Sequence, residues 1–292
     1  MSSTRLARNS FEEKALTYYD TKRSDPLNLD LGHADGFYHH HFAIDDFDRS
    51  ILDDTDRDSR ERRVRAEIHR LETDQVSTFV EALGELPATA RILDAGCGRG
   101  GTSLLLHQAC GCAVDGVNFS AYQVRFARAQ AEQRGVADRV RFHEANMVAT
   151  PFAAETFDCV ISNETTMYVK LPEAFAEFTR VLKPGGTYVL TTWCVNDPFG
   201  ISPPEAAAID RHYMSITHRR SEYLAALTGA GLFPYQMDDF TSRALPYWEL
   251  RVESALASGV EQSYLTGYRT NQVNYMRICS RKALRQQGQG VA

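Results

Sequence analysis

A glycine-rich loop follows the first buried strand predicted in this chain and could hold a cofactor. It reads Asp94-Ala95-Gly96-Cys97-Gly98-Arg99-Gly100. Glycines at 96 and 98 allow a sharp turn and a close approach of the backbone to a ligand, and the helix that follows offers free amide hydrogens. Gly96, Gly98 and Gly101 also satisfy the GxGxxG spacing of dinucleotide sites. The glycines alone therefore do not exclude NAD.

Two residues at strand ends favour a different cofactor. Asp94 directly precedes the loop, where it can contact a cofactor ammonium group indirectly. Asn118 ends the second strand, where a dinucleotide site normally has Asp or Glu for the ribose. An acidic residue before the loop and an amide after the second strand both argue against a dinucleotide.

Two other groups of residues could bind an anion. The segment Asp35–Phe42 contains His39, His40 and His41 in succession. Because neighbouring side chains cannot all face one point, a metal site is less favoured than a donor-rich lip for an anionic group. The second group joins Leu245–Arg251 to an insert, and its aromatic and basic residues indicate a pocket that is apolar at one end and anion-binding at the other. The alternative for any one of them is an ordinary amphipathic helix; the insert residues are Arg211, His212, Tyr213, His218, Arg219 and Arg220.

Short apolar runs alternate with helical patterns around the glycine loop, which predicts an α/β fold with a doubly wound, mostly parallel sheet of seven strands. Helical spacing predicts one long helix over Ser59–Leu83 and a second amphipathic stretch over Tyr247–Thr266. We expect residues 1–84 to form an N-terminal helical cap on a ligand-binding domain of residues 85–292, and an insert at about 196–220 to cover the active site. The predicted strands are Arg91–Asp94, Cys112–Val117, Val140–His143, Phe157–Ser162, Tyr188–Trp193, Leu232–Phe240 and, as an edge strand, Asn274–Ser280.

Composition narrows the class of protein. The 292 residues carry a net charge of −6, so no electrostatic footprint for nucleic acid or an anionic membrane is present. The six cysteines form no CxxC pair and are expected to be reduced. The first ten residues lack the apolar run of a signal peptide. We expect a cytoplasmic protein that forms a homo-oligomer through its long helix and exposed aromatics.

The loop and the strand before it resemble motif I of the class I methyltransferases, and Arg180–Gly186 matches the same family further along. The resemblance implies a Rossmann-like domain that binds S-adenosylmethionine. Asn146 stands where the family commonly has an Asp that contacts adenine, and the thioether of Met147 can pack on that ring. Asn118 departs from the usual acidic ribose ligand. The implied cofactor residues are Asp94, Gly96, Cys97, Gly98, Gly100, Asn118, Phe119, Gln123, Asn146, Met147 and Asn163.

Glu164 directly follows the fourth strand, beside the point where methyl transfer is expected. Met167 and Tyr168 flank it, so its carboxylate would be partly desolvated. Desolvation raises the pKa of a carboxyl group, which suits a proton acceptor. A solvated loop glutamate is the alternative.

The acceptor segments resemble the geranyl diphosphate C-methyltransferases of actinomycete terpenoid pathways. The chain departs from that family at Phe42, where Tyr is expected, and at Tyr213, where Phe is expected. Both residues would line the acceptor pocket, so the chain length of the acceptor or the position of methylation could differ. The resemblance rests on Asn28–Gly32, Asp35–Phe42, Asp94–Gly101, Asn163–Val169, His218–Leu224 and Pro246–Arg251.

This resemblance implies a reaction. An alkene must lie in line with the methyl–sulfur bond, its attack leaves a tertiary carbocation, and Glu164 removes a proton to restore an alkene. The aromatic faces of Phe42, Tyr168 or Tyr213 would stabilise the cation. Mg²⁺ is expected to neutralise the diphosphate while keeping several waters. The implied substrate residues are Tyr38, His39, His40, His41, Arg220, Tyr247 and Trp248.

Three alternatives share parts of this pattern. The acceptor could be isopentenyl diphosphate or a longer prenyl diphosphate. A small-molecule N- or O-methyltransferase would share the cofactor site but needs neither a cation-lining pocket nor a diphosphate lip. A non-catalytic cofactor-binding protein would leave Glu164 and the pocket aromatics without a purpose.

Overall fold

A sheet of seven strands forms the centre of the computed structural model, which describes residues 6–24, 29–199 and 202–284. The strand order is β3-β2-β1-β4-β5-β7-β6; the first five strands pair in parallel, and β7 pairs antiparallel with both β5 and β6. The doubly wound, mostly parallel sheet is therefore confirmed. The strands are β1 Arg91–Ala95, β2 Ala113–Asn118, β3 Val140–Glu144, β4 Phe157–Asn163, β5 Leu182–Val195, β6 Leu232–Asp239 and β7 Val273–Lys282.

The prediction that the last strand, β7, lies at the edge of the sheet was wrong. Residues Val273 to Ser280 are buried, β5 pairs along the strand from Val273 to Arg281, and β6 pairs with it from Met276 to Lys282. The edge strand on this side of the sheet is β6, which leaves Phe233, Tyr235 and Met237 exposed.

Helices cover both faces of the sheet and the carboxyl ends of its parallel strands. One of them, α1, was not predicted individually, although the side chain of Asn9 caps its first turn by accepting the amides of Phe11 and Glu12. Asn28, which opens one of the family-like segments, and residues 200–201 of the insert lie outside the described residues. The helices are α1 Ser10–Thr21, α2 Arg57–Gln75, α3 Ser77–Leu83, α4 Gly101–Cys110, α5 Ala121–Gln133, α6 Leu171–Val181, α7 Pro204–Tyr213, α8 Arg220–Gly229, α9 Thr241–Glu253 and α10 Glu261–Arg269.

Two long helical predictions were wrong in their continuity. The predicted helix over Ser59–Leu83 breaks at Val76, whose amide bonds to the carbonyl of Thr73 instead of one four residues back. The stretch over Tyr247–Thr266 divides into α9 and α10 because Glu261 accepts the amides of Ser258 and Gly259 and so begins a new helix. Amphipathic spacing continues across both breaks, so periodicity alone does not reveal them.

One apolar cluster joins the N-terminal region to the C-terminal helices above the sheet. It contains Ala15 from α1, Leu71 from α2, Trp193 from β5, and Tyr247 and Tyr264 from α9 and α10. This cluster lies at the end of the sheet where the strand-end residues Asn163 and Glu164 emerge. Within the described ranges, no helix is both long and apolar enough to cross a membrane.

The two glycines that bound α4 give a matched test of the fold. A Cβ at Gly100, where φ is +90°, would lie 2.6 Å from the ring of Phe142, whereas a Cβ at Gly111, where φ is +66°, would meet no described atom within 4 Å. We expect Gly100→Ala to lower the free energy of unfolding by roughly 2–4 kcal/mol and Gly111→Ala by about 1 kcal/mol. Urea denaturation measures both, and equal losses would show that contact with Phe142 is unimportant.

Candidate active site

Two cavities meet at the carboxyl ends of β1, β2 and β4. The cofactor cavity surrounds the glycine loop; the acceptor cavity lies beneath α1, α7 and α9. They share the wall formed by Tyr19, His40, His41, Glu164 and Tyr168.

The glycine loop fits closely against the segment that follows β4. Gly96 has a φ of +94°, and a Cβ there would lie 2.5 Å from Cγ2 of Thr165. The Thr165 hydroxyl donates to the carbonyl of Ala95 at 2.7 Å, which fixes this contact. Glycine is therefore required at position 96, because a side chain there would collide with Thr165.

A buried carboxyl group ends β1 beside the loop. Oδ2 of Asp94 accepts the Ser103 hydroxyl at 2.6 Å, and burial raises the pKa of Asp94 to about 6. Above that pH the group is an anion in the wall of the cofactor cavity. An ammonium group would be its natural counter-charge.

The far end of the cofactor cavity is closed by α1. The Asn146 side chain donates to the carbonyl of Leu6 at 3.0 Å and to Oε2 of Glu12 at 2.8 Å. Nearby, the Asn118 amide donates to Oε1 of Gln123 at 2.7 Å. All the predicted cofactor residues line this cavity except Gly100, which instead lies against Phe142.

Glu164 stands at the junction of the two cavities with a backbone φ of +55°. Its Oε1 accepts the Tyr275 hydroxyl at 2.6 Å and the Phe42 amide at 3.0 Å. Its Oε2 is buried and has no hydrogen-bond partner among the described residues. Burial raises the pKa of Glu164 to about 8, the two hydrogen bonds oppose that rise, and Glu72 adds to it. The desolvated carboxyl predicted from the sequence is thus present, and one of its oxygens is available to a ligand.

Aromatic rings surround the acceptor cavity. The ring centroid of Phe42 lies 5.3 Å from that of Trp193 and 5.8 Å from that of Tyr213. Tyr168 packs edge-on against Tyr19 at 5.3 Å. Such a wall presents electron-rich faces, which attract positive charge.

The opposite end of the acceptor cavity carries a buried arginine. Arg251 bonds to Glu261 at 3.1 Å and to the Tyr247 hydroxyl at 3.1 Å, while its Nε has no partner within the described part of the chain. The Tyr247 hydroxyl in turn donates to Glu72 at 2.7 Å, and burial raises the pKa of Glu72 to about 7. Lys22 of the N-terminal segment lines the same cavity. A buried guanidinium N–H without a partner, in a residue that lines the cavity, is suited to an anion.

The three histidines are uncharged, and two of them, His39 and His41, form a hydrogen-bonded chain. A carbonyl oxygen only accepts, so Nδ1 of His41 carries the hydrogen and donates to the carbonyl of Phe42. Nε2 of His41 therefore accepts, and Nδ1 of His39 donates to it at 3.1 Å. Nε2 of His39 in turn accepts the hydroxyl of Thr73. Burial lowers the pKa of His41 to about 4 and those of His39 and His40 well below 6.5. The predicted donor-rich lip was therefore wrong for His39 and His41, whose ring nitrogens are already bonded. No group of three or more possible metal ligands occurs in the residues described.

Several predicted substrate residues lie elsewhere. Tyr38 and His39 line only the cofactor cavity, and Trp248 stacks on Tyr264 with ring centroids 3.9 Å apart. Arg220 bonds to Asn196 and lies near Asp197, and it is not among the residues around either cavity. In contrast, His40, His41, Phe42, Tyr168, Tyr213 and Tyr247 all line the acceptor cavity.

Part of the acceptor wall was not predicted from the sequence. The Asn9 cap could have revealed α1. Nothing local distinguishes Glu72 from other acidic residues of α2. The lining residues that were not predicted include Tyr18, Tyr19, Lys22, Glu72 and Trp193, whereas His212 and Arg251 belong to the predicted aromatic and basic group.

Comparisons with known proteins agree with this arrangement. Residues 93–190 match the family described as methyltransferase domain. A geranyl diphosphate 2-C-methyltransferase of Saccharopolyspora erythraea is 41% identical over 93% of this chain and 95% of its own length, and one of Streptomyces lasalocidi is 38% identical over 92% and 90%. The crystal structure of the Streptomyces coelicolor geranyl diphosphate C-methyltransferase with Mg²⁺, geranyl-S-thiolodiphosphate and S-adenosyl-L-homocysteine superposes with a TM-score of 0.91 at 37% identity, covering 95% of this chain and 99% of that one.

The buried carboxyl of Glu164 should make stability depend on pH. Its pKa is about 8 when folded and near 4.5 when exposed, so the folded state binds the extra proton between those values and loses stability as the pH rises through them. Glu164→Gln removes this loss because an amide does not ionise, and its oxygen can still accept from Tyr275 and Phe42. We expect its melting temperature to exceed that of the unmodified chain by about 5 °C at pH 9 and by much less at pH 5.

Glu132→Gln is the control for this measurement, since Glu132 is exposed on α5. It should change the melting temperature little at either pH. Scanning calorimetry at both pH values measures the difference, and a gain independent of pH would contradict the raised pKa.

Proposed function

This chain belongs to the family of the geranyl diphosphate 2-C-methyltransferases, and we propose that it transfers a methyl group from S-adenosylmethionine to C2 of geranyl diphosphate. The observation that carries the proposal is the unpartnered Oε2 of Glu164. It lies where a cofactor cavity meets an aromatic cavity that ends in a buried arginine. That combination serves an acceptor with an apolar alkene body and an anionic end.

S-adenosylmethionine, when bound, supplies an electrophilic methyl group on a sulfonium. The glycine loop would cradle such a ligand, because Gly96 and Gly98 line the cofactor cavity with backbone alone. Asp94 is placed to balance the ammonium charge. Asn118, Gln123, Asn146 and Met147 line the remainder and would hold the ribose and adenine.

The aromatic wall would orient the alkene and stabilise positive charge. An alkene is a weak nucleophile, so its distance and angle to the methyl group decide the rate. Attack leaves a tertiary cation on the acceptor. Phe42, Tyr213 and Trp193 face the cavity, and a cation over one such ring gains about 2 kcal/mol when water is excluded.

Glu164 would remove the proton that restores the alkene. The new O–H bond forms at Oε2, the C–H bond breaks, and its electron pair becomes the new π-bond. Only the ionised carboxylate can do this, and with a pKa of about 8 that form increases as the pH rises from 7 to 9. The raised pKa also makes it a stronger base than an exposed glutamate.

The arginine end would hold the diphosphate. Arg251 offers its Nε–H, and Lys22 adds a second positive charge in the same cavity. Mg²⁺, which accompanies the substrate analogue in the Streptomyces coelicolor structure, commonly binds through one or two carboxylates and substrate phosphates. Glu72 is the carboxyl group in the acceptor wall that fits this use. Cytoplasmic location and homo-oligomerisation stay predictions.

A panel of acceptors tests the function. Purified protein with S-adenosylmethionine, Mg²⁺ and isopentenyl, dimethylallyl, geranyl or farnesyl diphosphate should add one methylene mass unit to geranyl diphosphate, and NMR should place the methyl at C2. Glu164→Gln should bind S-adenosylmethionine normally and lose more than about 99% of turnover, the scale on which a catalytic base contributes. A gain only on isopentenyl diphosphate would keep the chemistry and replace the substrate. No gain on any acceptor would refute the proposal.

Arg251→Lys tests the anion end. Lysine keeps the charge opposite Glu261 but lacks the Nε–H and the planar fork, so the KM for geranyl diphosphate should rise at least about tenfold while the affinity for S-adenosylmethionine stays the same. Arg269→Lys is the control, because that arginine is exposed on α10 and pairs with Glu249. Steady-state kinetics decide the matter; an unchanged KM in Arg251→Lys would remove it from the diphosphate site.

A further inference from the structure

A closed ring of hydrogen bonds supports Glu164. The Tyr275 hydroxyl donates to Oε1 of Glu164 at 2.6 Å, and Nε2 of Gln75 donates to that hydroxyl at 3.3 Å. Nδ2 of Asn163 donates to Oε1 of Gln75 at 3.0 Å. The peptide bond between Asn163 and Glu164 completes the ring.

Three distant parts of the chain build this ring. Gln75 is the last residue of α2, Asn163 the last residue of β4, and Tyr275 lies within β7. All are buried, and neither Gln75 nor Tyr275 is among the residues that line the two cavities. Both are therefore placed to act on substrates only through Asn163 and Glu164.

The ring determines which oxygen of Glu164 is available. The Tyr275 hydroxyl has a single hydrogen. Its oxygen accepts a hydrogen bond from Gln75, so the hydroxyl hydrogen is donated to Oε1 of Glu164. The Phe42 amide is a second donor to the same Oε1. With two donors on Oε1, the proton taken up by the carboxylate is bound at Oε2.

The other side of the ring reaches the cofactor cavity. Oδ1 of Asn163 accepts the Thr191 hydroxyl at 2.6 Å, and its Nδ2 is 3.5 Å from the hydroxyl of Thr102. Asn163 and Thr102 both line the cofactor cavity. The ring therefore couples the orientation of the Asn163 amide in the cofactor cavity to that of the Glu164 carboxyl, which also lines the acceptor cavity.

The ring also holds an unfavourable backbone conformation. Glu164 has a φ of +55°, a left-handed conformation that side chains other than glycine rarely adopt. Such conformations persist where the surroundings fix them, and they occur often at active sites. Here Gln75 holds the side chain of Asn163, and Tyr275 holds the side chain of Glu164.

We infer that Tyr275 and Gln75 are positioning residues for methyl transfer: Tyr275 makes Oε2 the proton-accepting atom of Glu164, and Gln75 ties Glu164 to Asn163 in the cofactor cavity. The role of Glu164 rests on the proposed function. In this step a C–H bond of the acceptor cation breaks, its electron pair becomes the alkene π-bond, and the proton joins Oε2.

The pH dependence of turnover separates positioning from simple packing. Tyr275→Phe removes a donor that favours the ionised carboxylate, so the rising limb of the kcat–pH profile should move up by about one pH unit. At pH 7, kcat should fall about tenfold while the KM for geranyl diphosphate stays within about twofold of the unmodified value. The titratable groups facing Glu164 remain in place: Tyr19 of α1, His41, Glu72 of α2, Tyr168, Tyr213 of α7, and Tyr264 and Tyr268 of α10.

Tyr268→Phe is the matched control. It deletes another buried hydroxyl of the same apolar cluster, one with no hydrogen-bond partner among the residues described. Its kcat–pH profile should coincide with that of the unmodified enzyme. An unmoved limb in Tyr275→Phe, or equal shifts in both variants, would overturn the inference for Tyr275.

Gln75→Met tests the cofactor side without any acceptor. It keeps the volume of the side chain and removes the hydrogen bonds of Gln75 to Asn163, Thr191 and Tyr275, so Asn163 loses both the donor and the acceptor that Gln75 provides. Titration calorimetry should show S-adenosylmethionine affinity lowered about fivefold in Gln75→Met and unchanged in Tyr275→Phe. Unchanged affinity in Gln75→Met would overturn the role of Gln75. Because no acceptor is present, this result stands even if geranyl diphosphate proves not to be the substrate.

Discussion

Removal of the Glu164 carboxyl from water is the constraint on which the active site depends. A buried carboxylate is costly, and the chain reduces that cost with two donors on Oε1 while leaving Oε2 without one. The same burial raises its pKa to about 8 and so makes it an effective base. The aromatic rings that exclude water from Glu164 also present the faces suited to a cation. The burial that makes Glu164 a stronger base therefore also lowers the free energy of unfolding.

Much of the sheet could be predicted from the sequence because its signals are local. The run from Arg91 to Gly101 contains a strand, a turn and a helix start within eleven residues. Apolar periodicity then placed the other strands. It did not reveal the break at Val76, since helical spacing continues through it, nor the position of β7 between β5 and β6. Strand order depends on pairings that a single apolar run does not encode.

The residues of the candidate site likewise fall into those with a local sequence signal and those without one. Glu164 and the cofactor residues follow strand ends, so their position along the chain indicates where they lie. The partners that set the chemistry come from far away: Tyr275 is 111 positions from Glu164, and Tyr247 is 175 from Glu72. The histidine triplet shows the opposite error. His39 and His41 satisfy each other, and a run of identical letters cannot show that their donors are already used.

Helix α1 and the residue after it belong to both ligand sites. Tyr19 lies in the wall of both cavities, Glu12 bonds to Asn146 beside the cofactor, and Lys22 lines the acceptor cavity. A shift of this one helix would therefore alter the cofactor cavity and the acceptor cavity together, although they are formed largely by different strands and helices.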